Sequence, residues 1–165
     1  MSWEFNVLVI ANVTADSPEL IEALKERAGR DRCRFTLLVP GAAAGRAGHD
    51  AARMRLDAVL GRLEAEGLEA EGLVGDHDPV AAVHDAWDPK KYDEVVVSTL
   101  PTGSSRWLQV DLPHRVEKIT DVPVKHLVVE PPRPQPATTQ RREPERQGIL
   151  SPLTALTGKG PRARR

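Results

Sequence analysis

Six of the eight residues from 98 to 105 are small and polar: Ser98, Thr99, Thr102, Gly103, Ser104 and Ser105. They follow an apolar β-branched run, Val95–Val97, and precede a helical pattern. Hydroxyls and free amides gathered where a helix begins favour an anion, and Arg106 adds a positive charge beside them. A phosphate is the anion this arrangement suits. The same residues also suit a purely structural task, because Ser and Thr cap helices. Trp107 follows as an anchor for the core or for an interface.

Other chemistries find little support. A serine nucleophile on a strand-to-helix elbow needs Gly-x-Ser-x-Gly, which is absent. The glycine-rich stretch Gly41–Gly48 (GAAAGRAG) has no Gly-Lys-Ser/Thr ending, so it lacks the lysine and hydroxyl of a P-loop. His49, His77, His84, His114 and His126 are scattered and show no zinc-binding spacing. A phosphoacceptor site could draw on Asp76, Ser98, Thr99 and Lys125, but Ala11-Asn12 offers no acid pair for magnesium. The single Cys33 forms neither an internal disulfide nor a cysteine metal cage. The expectation is a protein that is not an enzyme and carries no metal.

Alternating strands and helices must hold the loop in place. Phe5–Ala11 (FNVLVIA) is a continuous apolar run, as in a central parallel strand covered on both faces. Ser17-Pro18 opens a helix carrying Leu20, Ile21, Leu24 and Ala28 and ending at Gly29. Arg34–Val39 reads as a second strand, and a helix runs from His49 to Gly67. Leu68–Val74 alternates as a third strand with one wetter face. Asp78-Pro79 starts a helix with Val80, Val83, His84 and Trp87 on its buried stripe. Val95–Val97, one helix capped by Asp111, and the strand Val122–Val129 complete the pattern. Five strands alternating with four helices predict a three-layer α/β/α sandwich around a five-stranded parallel sheet.

The chain has 165 residues, 40% hydrophobic and 28% charged, with a net charge of −1. That balance suits one soluble α/β domain over residues 1–130 and, without a long apolar run, a cytoplasmic location. Residues 1–130 carry 15 basic and 22 acidic residues, whereas 131–165 carry eight basic and two acidic ones. The latter stretch begins PPRPQPATTQRREPERQ and is expected to be a disordered basic tail. It could recruit a protein or another anionic partner, or simply solubilise the body. No membrane and no specific nucleic acid is expected.

From the strand at Val95 to the Pro123-Val124 that opens the last strand, the layout resembles the universal stress protein family. Gly75-Asp76-His77-Asp78-Pro79 before a Val/Ala-rich helix is similar to that family as well. In its ATP-binding members, Gly-x-x-Gly, nine residues and Gly-Ser/Thr cradle the nucleotide. Counted back from Pro123-Val124, those glycines fall on Val97, Leu100 and Val110, and the Ser/Thr on Asp111. Gly103 lies nearby, out of register. The resemblance also implies a base contact at Asn12, where the family has Asp, and adenine packing against Val39.

Taken together, these readings imply a non-enzymatic regulatory or ligand-binding protein, degenerate for ATP, with Asn12, Val39, Ser98, Thr99, Thr102, Gly103, Ser104 and Ser105 as its site. One alternative is a genuine adenine-nucleotide binder with a rearranged phosphate loop. Another is a dimeric adaptor whose basic tail recruits a partner. The resemblance further implies a homodimer through the fifth strand.

Overall fold

The computed structural model describes residues 3–131. Expectations for the basic tail fall outside those residues. Five parallel strands form one sheet: β1 (Phe5–Ile10), β2 (Cys33–Pro40), β3 (Ala70–Gly75), β4 (Glu94–Thr99) and β5 (Val124–Val128). Their order across the sheet is β3-β2-β1-β4-β5. The chain therefore builds outward from β1 in one direction, then returns to β1 and builds in the other.

Side-chain alternation divides the core into two layers. Val7, Val9, Phe35, Leu37 and Val96 face α1 (Pro18–Arg30) and α2 (Arg46–Ala65), where they meet Leu20, Leu24, Leu56, Val59 and Leu63. Leu8, Ile10, Leu38, Val95 and Val97 face α3 (Pro79–Ala86) and α5 (Leu112–Thr120), where they meet Ala82, Val83, Leu112 and Val116. Successive residues of β1 are thus buried against opposite helical layers. This explains why the strand reads as an unbroken apolar run. The three-layer α/β/α sandwich expected from the sequence is the architecture observed.

Local chemistry sets the helix starts. Ser17 Oγ accepts from the Leu20 amide at 3.2 Å, and Pro18 takes the first helical position, where no N–H is needed. Asp78 Oδ1 accepts from the Val80 amide at 2.8 Å, again with proline next.

Four details depart from the sequence expectations. Helix α2 begins at Arg46 rather than His49, because Gly45 turns the chain at φ 86° and Gly48 already packs as helix. A Cβ at Gly48 would come within 2.0 Å of the Ala43 carbonyl oxygen. Between β4 and β5 lie two helices, α4 (Arg106–Gln109) and α5, not one. Pro113 explains the break: a continuous helix would need its missing N–H to reach the Gln109 carbonyl. The chain reverses at Asp111, which adopts the left-handed conformation (φ 52°) that aspartate tolerates. Its side chain makes no capping bond, contrary to expectation; its carbonyl instead accepts from the Arg115 amide. Finally, His84 is exposed, since the eight-residue α3 turns Ala82 and Val83 inward and leaves His84 beside Asp85 on the outer face.

Candidate functional site

Strand order reverses between β1 and β4, so the loops leaving these adjacent strands diverge to opposite faces and open a crevice. Open α/β sheets bind ligands at this point. A cleft of about 190 Å³ lies there. Asn12, Val13 and Thr14 line it from the loop after β1. Ser98, Thr99 and Leu100 come from the end of β4, and Ser104 to Trp107 from the following turn and α4.

Ser98 is fully buried, and among the described residues its Oγ has no hydrogen-bond partner. Its carbonyl is occupied, accepting from the Thr14 hydroxyl at 3.1 Å. That bond ties the β1 loop to the end of β4. Thr99 Oγ1 lies 2.8 Å from His126 Nε2 on β5. Asn12 is half-buried, and its Oδ1 accepts from Nη1 of Arg55 on α2. Val13, Leu100 and Trp107 contribute apolar surface, and Arg106 is the cleft's charged side chain.

The turn after β4 uses several of its own polar groups. The Ser104 and Ser105 amides both donate to the Pro101 carbonyl, at 3.0 and 3.1 Å. Ser105 Oγ accepts from the Leu108 amide at 3.4 Å, capping the four-residue α4. These amides therefore face inward rather than forming a nest for an anion.

Asn12, Ser98, Thr99, Ser104 and Ser105 meet at the cleft as a group. Thr102 and Gly103 are exposed and lie outside its lining. Val39 also lies outside it, fully buried in a core cluster with Ala11, Ala15 and Ala52. Sequence reasoning missed Thr14 and Arg55. Their roles depend on contacts spanning 84 and 43 residues, and neither belongs to a local motif.

Electrostatics gives the cleft a direction. An adjoining depression of about 320 Å³ shares Val13, Thr14 and Leu100 but is rimmed by Asp16, Glu19 and Glu130. Negative charge is disfavoured on that side and favoured beside Arg106. A larger depression, about 740 Å³ between α2 and β3, carries Asp57, Glu64, Glu69 and Glu71. It lies toward the amino ends of the strands, away from the crevice.

Solved structures share this architecture. The universal stress protein from Archaeoglobus fulgidus in complex with dAMP matches with a TM-score of 0.55 and 14% identity, covering 76% of this chain and 98% of that one. A universal stress protein family protein from Arabidopsis thaliana with AMP bound matches with a TM-score of 0.52 and 16% identity, covering 75% and 91%. The chain has the universal stress protein fold. No protein-family model matches the sequence, and no curated protein does. At these identities the likeness lies in the arrangement of elements, and the side chains of the cleft are this chain's own. Among the described residues of this universal-stress-type body, no helix is long and apolar enough to cross a membrane.

Proposed function

We propose that this universal-stress-type chain is a non-catalytic binding protein whose β1–β4 cleft takes a purine nucleoside monophosphate and disfavours ATP. The observation that carries this reading is the cleft at the point where strand order reverses, lined by the polar residues Asn12, Thr14, Thr99 and Ser104 and by the cation Arg106. Trp107, Leu100 and Val13 suit a flat ring, and Arg106 suits a phosphate. Two solved proteins of the same fold hold AMP and dAMP, which supports a ligand of that class.

Donor supply argues against a triphosphate. Pro101 has no N–H to offer, and its carbonyl engages the Ser104 and Ser105 amides. Val97, Leu100 and Val110 occupy the positions where the resemblance places phosphate-cradling glycines. We also propose a homodimer through β5, an edge strand whose Val128 is 49% exposed.

Calorimetry with AMP, IMP and Mg-ATP on the full chain, followed by chromatography of the recovered nucleotide, tests the reading. A monophosphate should bind at least about tenfold more tightly than Mg-ATP and come back intact. Equal or tighter binding of Mg-ATP, or its hydrolysis, would overturn it.

A further inference from the structure

We infer that Arg55 and Arg62 on α2 are positioning residues of the cleft: together they hold the loop after β1, which forms one of its walls, in the shape that a ligand meets. The inference rests on the proposed binding of a purine monophosphate and adds the residues that keep its site assembled. Its starting point is that both ends of this loop are tied to the same helix. Arg55 Nη1 donates to Asn12 Oδ1, and Arg62 Nη1 donates to the Asp16 carbonyl. Asn12, Val13 and Thr14 line the cleft, and Asp16 lines the depression that adjoins it.

The sequence of α2 builds this clamp. The two arginines are seven residues apart, so they share one face of the helix, about 10 Å from each other along its axis. Each comes immediately before a core leucine, Leu56 or Leu63, which are 1% and 0% exposed. The residues beside the arginines thus seat the helix against the sheet. A guanidinium only donates, so each arginine must find an oxygen, and the loop supplies one at each end.

The loop has little else to hold it. The Ala15 amide donates to the Asn12 carbonyl at 3.0 Å and the Ser17 amide to the Thr14 carbonyl at 3.1 Å. These bonds shape the turns without fixing them to the sheet. Among the described residues, one hydrogen bond ties the stretch from Asn12 to Asp16 to β4, from the Thr14 hydroxyl to the Ser98 carbonyl at 3.1 Å. Ala15 packs in the core with a single methyl group, and Val13 is 57% exposed. A wall clamped from α2 is ordered before the ligand arrives. Once the clamp is released, the wall samples other shapes, and the apparent dissociation constant rises as the competent fraction falls.

Arg55→Met, Arg62→Met and the double variant, made in the full chain, test this with AMP as the probe. Titration calorimetry should show the double variant binding about tenfold more weakly at both about 20 mM and about 500 mM NaCl, with each single variant in between. Amide hydrogen exchange should quicken about tenfold at Ala15 and Ser17 and stay as in wild type at Val7 and Val9 of β1. A loss of affinity that disappears in high salt would mean that the arginines attract the phosphate by charge, which overturns the positioning role. Unchanged AMP affinity in the double variant also overturns it, while the monophosphate reading stands. Exchange that rises equally at Val7 and Val9 would assign the arginines to the stability of the whole fold and overturns it as well. If AMP does not bind wild type, both readings fall together.

Discussion

The two ends of the sheet treat their polar groups in opposite ways. At the amino ends of the strands, charges pair with one another, although Glu4 Oε1, close to Arg32, makes no hydrogen bond among the described residues. Arg27 Nε sits 2.9 Å from Glu94 and its Nη1 2.9 Å from Asp31, while its guanidinium also stacks 4.8 Å from the Phe5 ring centroid. Arg32 and Arg34 bridge Glu4 and Glu69, and the Asn6 amide donates to Asp93 at 2.8 Å. At the carboxyl ends, the Ser98 hydroxyl has no partner, the Asn12 NH₂ is uncommitted, and Arg106 forms no ion pair among the described residues. A closed network holds a fold in register, and an open one leaves free energy to be gained by a ligand. Binding and stability should therefore separate along the strand axis.

The sharpest test of the paired end is Arg27→Ala. The Arg27 and Glu94 side chains are 18% and 24% exposed, between the surface and buried regimes. Removing the arginine leaves Glu94 partly desolvated without its partner and strips the cation from Phe5. A loss of about 2 kcal/mol is expected, less than the 3–5 kcal/mol of a fully buried pair. Thermal unfolding should record a fall of roughly 5–10 °C. Nucleotide affinity should stay within about twofold of wild type. A large affinity loss in a folded variant would mean that the two ends are coupled.

Ser98→Ala probes the open end and should move stability while leaving binding in place. Deleting an unbonded buried hydroxyl removes a desolvation penalty, so the free protein should be unchanged or gain about 0.5–1 kcal/mol. Monophosphate affinity should stay within about twofold of wild type, because the hydroxyl is enclosed and out of a ligand's reach. Denaturant titration and calorimetry on the same preparation check both. Destabilisation of the free protein would show that the hydroxyl is satisfied in solution, and the contrast between the ends would weaken.

The sheet's two lateral edges allow a further comparison. β3 is an edge strand whose outward Glu71 binds Lys91, a charge that blunts pairing with another chain. β5 carries Val128 half-exposed near its end, with Lys125 and His126 before it. A dimer through β5 should sediment as such at micromolar concentration, and Val128→Lys should shift it toward monomer by at least about tenfold in dissociation constant. A monomeric wild type, or a dimer untouched by Val128→Lys, would remove the β5 interface.

Much of this fold was legible in the sequence because continuous apolar strands and proline-capped helices are local signals. β1 reads as buried on both faces, β2 and β4 read as strands from their apolar runs, and the helix starts at Ser17-Pro18 and Asp78-Pro79 carry their own chemistry. The break before Pro113 was also legible by the rule that proline interrupts a helix, but Asp111 was read as an ordinary cap. His84 was misassigned because a short helix tolerates two registers, and packing against β3, β2 and α5 selected one. At the cleft, the hydroxyls near the end of β4 could be read from composition. Arg55 could not: it sits on an amphipathic helix among other charged residues, and only the three-dimensional approach of α2 to the β1 loop gives it a role. Val39 shows the reverse, a position implied by resemblance that the Ala15 and Ala52 side of the core encloses.

The smallest expected effect concerns Lys91, whose Nζ reaches Glu71 Oε1 at 2.8 Å while the Thr36 hydroxyl donates to the same oxygen at 3.1 Å. These hydrogen bonds, Lys91 first and Thr36 second, hold the Glu71 carboxyl below its ordinary value. A carboxylate whose folded value is depressed adds stability that is present above its unfolded value, about 4.3. That stability is lost as pH falls through the folded value. The side chains are 54% and 44% exposed, so screening keeps the pair at about 0.5 kcal/mol. Lys91→Met should therefore melt 1–3 °C below wild type at pH 7, by an order-of-magnitude conversion. The two curves should converge below about pH 4 as Glu71 protonates, and 1 M salt should narrow the gap at pH 7, where the Debye length falls to about 3 Å. A gap that persists unchanged into acid would show that the lysine acts through its ammonium over the Tyr92 ring, 5.1 Å from the centroid, rather than through Glu71.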